Sequence, residues 1–142
     1  MDRLEAQELL KTALANPNAV FREGQWEAID ALVNQRQKLL VVQRTGWGKS
    51  SVYFISTKIF RDRGMGPTII VSPLLALMRN QIDSAHRLGI VAETMNSTNS
   101  GDWQAVTQRM LNNQFDCLLI SPERLANDTF IETHCCPINF RT

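Results

Sequence analysis

Three short apolar runs, Leu39-Leu40-Val41-Val42, Thr68-Ile69-Ile70-Val71 and Cys117-Leu118-Leu119-Ile120, stand out in a chain whose other apolar residues recur at helical spacing. Runs of this length without polar alternation read as strands covered on both faces, and helices between them make βαβ units with parallel strands. In residues 74–88, Leu74, Met78, Ile82 and Ala85 fall on one helical face, with Arg79, Asn80, Asp83 and Arg87 elsewhere. Trp103, Val106 and Met110 repeat the spacing behind Asp102, a residue suited to an N-cap. Between these two helices, residues 90–95 predict a fourth strand. Upstream, Trp26, Ile29 and Val33 predict a helix after a break at Gly24, and residues 4–14 predict another before Asn16-Pro17-Asn18. A further helix is predicted over residues 51–61. The fold class that follows is α/β, a parallel sheet flanked by helices.

Each of the three runs ends in a polar, turn-prone group: Gln43-Arg44-Thr45-Gly46, Ser72-Pro73 and Ser121-Pro122. The carboxyl ends of parallel strands share one edge, where open sheets bind ligands. Ser-Pro is also an ordinary helix opening, so the second and third groups carry less information than the first. Thr45-Gly46-Trp47-Gly48-Lys49-Ser50 has the build of a nucleotide phosphate cradle. Its glycines permit a turn whose N–H groups face an anion, and the helix that follows presents the positive end of its dipole to the same place. Lys49 is positioned to reach the β- and γ-phosphates and Ser50 to ligate magnesium. Gln43 stands where the strict pattern G-x-x-x-x-G-K-[ST] has its first glycine.

Composition narrows the setting without adding chemistry. The 142 residues, 44% hydrophobic and 20% charged, suit one ordinary domain or part of a larger one. A net charge of +1 means that a polyanion is held by a local face. The apolar runs are too short to span a bilayer, and Asp2, Arg3, Glu5, Glu8 and Lys11 interrupt the start where a signal peptide is apolar. The expectation is a cytoplasmic protein, nuclear in a eukaryote, with no membrane partner. Cys117 reads as a small buried hydrophobe. His134-Cys135-Cys136 lacks the C-x₂-C spacing that lets thiolates surround zinc, and no metal is expected there.

Taken together, Phe21-Arg22-Glu23-Gly24-Gln25, the cradle, the stretch from Val71-Ser72-Pro73 to Arg79-Asn80-Gln81, Asn96-Ser97-Thr98, and Ile120-Ser121-Pro122-Glu123-Arg124-Leu125 resemble successive motifs of RecQ-type DNA helicases of superfamily 2. Order and spacing both match, over residues 21–125. The resemblance implies a RecA-like P-loop fold, with residues 1–20 a helical extension and 21–142 part of the first motor domain, incomplete at its C-terminal end. It implies ATP and magnesium as cofactors and single-stranded or partly duplex DNA as partner, with no obligate protein partner evident. Arg22 and Gln25 match the adenine motif, a role suited to an amide that both donates and accepts. Lys49 matches the catalytic phosphate residue and Ser50 the magnesium residue, within an ATP-binding stretch of Thr45, Gly46, Trp47, Gly48, Lys49, Ser50 and Ser51. Ser72, Pro73, Arg79, Gln81, Ser97, Thr98, Ser121, Pro122 and Arg124 match segments that track a strand's backbone, contacts that hold without reading sequence. A non-glycine residue at the Gln43 position is usual in that family. Trp47 replaces a small residue, and two placements are open to it: over the nucleotide, or packed on the loop.

One departure is larger. In these helicases a later strand ends in an Asp-Glu pair that orients magnesium and the attacking water, and a second RecA-like domain supplies arginines. No two acidic residues are adjacent in this sequence, and residues 134–142 fit the family poorly. The expectation is the front part of a motor domain, left by a truncation, an early stop or a frame change, that binds nucleotide and strand weakly but is inactive alone. Other readings stay open. An RNA helicase of the same superfamily accounts for most of the motifs, and a non-catalytic nucleotide-binding remnant accounts for the missing pair. A P-loop kinase or small-molecule ATPase accounts for Lys49 and Ser50 but leaves the later motifs without a purpose.

Overall fold

A computed structural model describes residues 1–73, 79–95 and 103–125. Helix α1 (Arg3–Leu14) opens on a capping box in which Asp2 accepts from the Glu5 amide and Glu5 from the Asp2 amide, and it closes at Ala15 in the left-handed conformation. Its buried stripe is Ala6, Leu10 and Ala13, the helical spacing that the sequence shows. Helix α2 (Gln25–Val33) starts at Gly24, as expected, and buries Ala28, Ile29 and Val33. Helix α3 (Lys49–Asp62) buries Val52, Ile55 and Ile59. Strand β1 (Thr68–Val71), helix α4 (Arg79–Arg87), strand β2 (Ala92–Met95), helix α5 (Trp103–Leu111), strand β3 (Cys117–Ile120) and the short helix α6 (Pro122–Leu125) follow.

The described strands form a parallel sheet in the order β1-β3-β2, with Thr68 and Ala92 both opposite Cys117, and Val71 and Met95 both opposite Ile120. β3 is buried along its whole length because it lies between neighbours and beneath helices on both faces. Its alternation sorts the core: Cys117 and Leu119 pack with residues of α1, α2 and α3, whereas Leu118 and Ile120 pack with Val106, Met110 and Phe115. The result is the expected α/β arrangement of helices on either side of a parallel sheet. Cys117 is fully buried and free, and burial beside Asp116 pushes its thiol up to about 12.

Asp116 ties the start of the sheet together. Its carboxylate takes Nε of Arg61 at 2.6 Å and the Val91 amide at 2.8 Å, while its own amide donates to the Val91 carbonyl and its carbonyl accepts from Thr68. One residue thus joins α3 to the leading ends of all three described strands.

Two expectations need correction. Residues 39–42 are not a strand: Leu40 and Val42 are 90% and 82% exposed, and the segment has no ladder. An apolar run becomes a strand only where a neighbour completes its hydrogen bonds, and the described strands pair only with one another. The second correction concerns β1, which is half-buried with Val71 exposed, because it is an edge strand and not an interior one. The strand expected over 90–95 forms from Ala92; Ile90 is instead buried in the turn after α4, its amide bonded to the Ala85 carbonyl. Leu74, Met78, Asp102 and the 134–136 cluster lie outside the described residues. Among the described residues no group of His, Cys, Asp or Glu is arranged to hold a metal ion, and no helix is long and apolar enough to cross a membrane.

Candidate nucleotide site

The loop between residue 42 and α3 turns twice through left-handed glycines, Gly46 at φ 84° and Gly48 at φ 97°. Gly48 is the N-cap of α3 and offers no side chain to the first turn. Among the described residues, no acceptor meets the amides of Gly46, Gly48, Lys49 and Ser50. Those of Gly48, Lys49 and Ser50 are orphan donors of a helix start, and together with Gly46 these residues border a cavity of about 530 Å³. Thr45, Gly46, Gly48, Lys49 and Ser50 form one side of it, with Arg44 at the shoulder of the loop. Tyr53, Ser72 and Gln81 reach it from α3, the end of β1 and α4. Among the described residues, the lining holds two cations and no carboxylate. Such a cavity suits an anion: positive charge, N–H groups and hydroxyls surround it, and no described residue of its lining repels a phosphate. The residues present therefore fit a nucleoside polyphosphate, and Ser50 fits the hydroxyl ligand that its magnesium takes.

The Lys49 ammonium donates to the Gln43 carbonyl and to the Arg44 carbonyl, the latter at 3.3 Å. It holds the loop closed while keeping one of its three donors. Behind the loop, residues 22–25 clasp it. Arg22 Nη1 donates to the Gly46 carbonyl, and the Trp47 indole donates to the Glu23 carbonyl at 3.1 Å. The Gln25 amide, 4% exposed, donates to the carbonyls of Trp47 at 2.9 Å and Gly48 at 3.4 Å and accepts from the Arg22 amide at 2.8 Å. Trp47 is 7% exposed and belongs to the core cluster, so of its two placements the structure takes packing. Arg22, Gln25, Trp47 and Ser51 do not line the cavity; the first three brace it from behind.

The segments after the strands converge as the parallel topology requires. The Ser72 amide donates to the Ile120 carbonyl at 3.0 Å, which brings Ser72-Pro73 beside Ser121-Pro122 at the carboxyl edge of the sheet. Gln81 is drawn to the cavity by the Tyr53 hydroxyl, which donates to its carbonyl oxygen at 2.8 Å. Burial pushes the Tyr53 phenol up to about 12, so it stays a donor throughout the neutral range. Ser72 and Gln81, expected on a strand-tracking face, thus border the cavity beside the glycine loop. Ser97 and Thr98 lie outside the described residues, as do the side chains of Arg79 and Arg124.

Sequence reasoning did not single out Arg44 and Tyr53. Tyr53 was legible, since it lies one helical turn beyond Lys49 on the same face. Arg44 carried only its charge and its place before the cradle.

A parallel sheet with helices on both faces and a glycine-built anion loop beside its edge is the RecA-like architecture of helicase motors. The DEAD/DEAH box helicase family model matches residues 22–138, and this chain belongs to that family. Its similarity runs to RecQ-type members. The ATP-dependent DNA helicase RecQ of Haemophilus influenzae is 37% identical over 113 residues, which cover 79% of this chain and 17% of that protein. That of Bacillus subtilis is 38% identical over 114 residues, 78% of this chain and 18% of that protein. The ATP-dependent helicase SGS1 of Saccharomyces cerevisiae is 31% identical over 107 residues, 75% of this chain and 7% of that protein. The chain thus spans under a fifth of the length of these relatives.

Proposed function

We propose that the chain is the ATP-binding, strand-contacting front of a RecQ-type DNA helicase motor, residues 21–142 being part of the first RecA-like domain and 1–20 an extension. The observation that carries this reading is the cavity in which the cradle, Ser72 and Gln81 meet, with no carboxylate among its described lining residues. Phosphates on the loop amides and Lys49, and magnesium on Ser50, account for the cradle. Magnesium, when bound, would neutralise and orient the phosphates. Ser72, Pro73, Arg79, Gln81, Ser121, Pro122 and Arg124, with Ser97 and Thr98, supply the strand-tracking edge in this reading. The adenine role belongs to Arg22 and Gln25, whose amide must exchange its Trp47 and Gly48 carbonyls for the base. The 142 residues alone do not turn over ATP, because no adjacent acidic pair is present to hold magnesium and orient water.

The test is nucleotide binding by calorimetry with MgATP and MgGTP, alongside phosphate release with and without single-stranded DNA. Lys49→Ala should weaken both nucleotides at least tenfold, since it leaves phosphate charge unpaired. Unchanged affinity would remove Lys49 from the site. Gln25→Ala should weaken ATP more than GTP; equal losses would mean that the amide acts only by bracing the loop. Lys49-dependent turnover by the 142 residues would overturn the assignment of an inactive front.

A further inference from the structure

Arg44 is exposed at the mouth of the cavity, and its guanidinium has no hydrogen bond or ion pair among the described residues. Arg22, behind the loop, is by contrast committed to the Gly46 carbonyl. Arg44 is also fixed at its root, because its carbonyl accepts from Lys49 and from the Trp47 amide. The side chain therefore leaves a braced backbone beside the ammonium of Lys49, over a lining with no carboxylate among the described residues.

We propose that Arg44 is a second cation of the phosphate site, placing its guanidinium on the polyphosphate of the bound nucleotide. The inference rests on the nucleotide reading above and deepens it. Magnesium and Lys49 together leave part of a triphosphate's charge unmatched, and a planar fork of donors suits two phosphate oxygens at once. A free arginine beside an anion site loses little on engagement, since no existing bond is given up. The residue is thus a binding group supplied from within the loop, in addition to Lys49.

The experiment compares MgATP and MgADP affinities of the 142-residue chain with those of Arg44→Ala, Arg44→Lys and Lys49→Ala, each checked for an unchanged urea midpoint. Arg44→Ala should lose roughly ten- to a hundredfold in ATP affinity, the scale of one charge-assisted hydrogen-bonded contact, and should flatten the salt dependence of binding. Arg44→Lys should recover part of the loss, because charge returns without the fork. ATP affinity equal to wild type in Arg44→Ala, while Lys49→Ala still loses it, would overturn the role of Arg44 and leave the nucleotide site standing. Loss of affinity for a single-stranded oligonucleotide with ATP affinity unchanged would likewise overturn it, assigning the guanidinium to nucleic acid. Equal binding by wild type and Lys49→Ala, or none by wild type, would remove the nucleotide site and Arg44 with it.

Discussion

Replacing Gly48 and Gly46 separately by alanine separates backbone strain from the clasp that holds the cradle. Both glycines are left-handed, so an alanine at either costs about 1–2 kcal/mol for conformation alone. At Gly46 a Cβ meets nothing within 4 Å, and the cost ends there. At Gly48 it meets Nε2 of Gln25 at 2.6 Å, closer than the atoms can stand. The Gln25 amide must move, and in a site 4% exposed it then gives up its bonds to the Trp47 and Gly48 carbonyls. A buried polar group left unpaired adds about 1–3 kcal/mol. Gly46→Ala should therefore cost about 1–2 kcal/mol and Gly48→Ala about 2–5 kcal/mol. Urea unfolding followed by circular dichroism reads both, with the slope unchanged if only stability moves. The decisive step is a double-mutant cycle. In a Gln25→Ala background, Gly48→Ala should cost no more than Gly46→Ala, because the clash and the amide are gone. Equal costs for the two glycine variants in the wild-type background, or no coupling in the cycle, would refute the clasp.

The remaining predictions concern the scaffold. Asp116→Ala removes the partner of Arg61 and of the Val91 amide, and should lower unfolding free energy by about 2–3 kcal/mol in urea titration; a change within error would show that the sheet's leading ends are held by their ladders alone. Cys117 and Tyr53 both titrate higher in the folded chain than their ordinary values of 9.0 and 10.0, so the folded state holds protons that the unfolded state has released. Stability should be level up to about pH 9 and fall between there and about 12, and Cys117→Ala should delay the onset of that fall. A thermal midpoint that rises through this window would contradict the sign.

What the sequence made legible was what depends on local pattern. β1 and β3 fall on the apolar runs read for them, and α3 begins at Lys49 because glycine punctuation and helical period are both local signals. Strand 39–42 failed for the opposite reason: its pattern matches that of β3, but pairing is decided by a neighbour that no window along the chain reveals. The site divides the same way. Lys49, Gly46 and Gly48 were readable from spacing, whereas the clasp of residues 22–25 joins positions more than twenty residues apart in sequence, and only the fold shows which groups it engages. Trp47 was ambiguous until the structure put it against Gly24, because an indole in a loop has no periodicity to give its direction away.

The strand order has a kinetic corollary. Of the described strands the latest in sequence, β3, lies in the middle, so among the described residues neither β1 nor β2 has a ladder partner until it arrives. Thr68 and Ala92 must both wait for Cys117, and the Val91 amide must wait for Asp116. Helices can gather early around α1, α2 and α3, but the sheet condenses in one step that closes two long loops together. As the chain leaves the ribosome, β1 and β2 are bare edges until Asp116 and the residues behind it emerge.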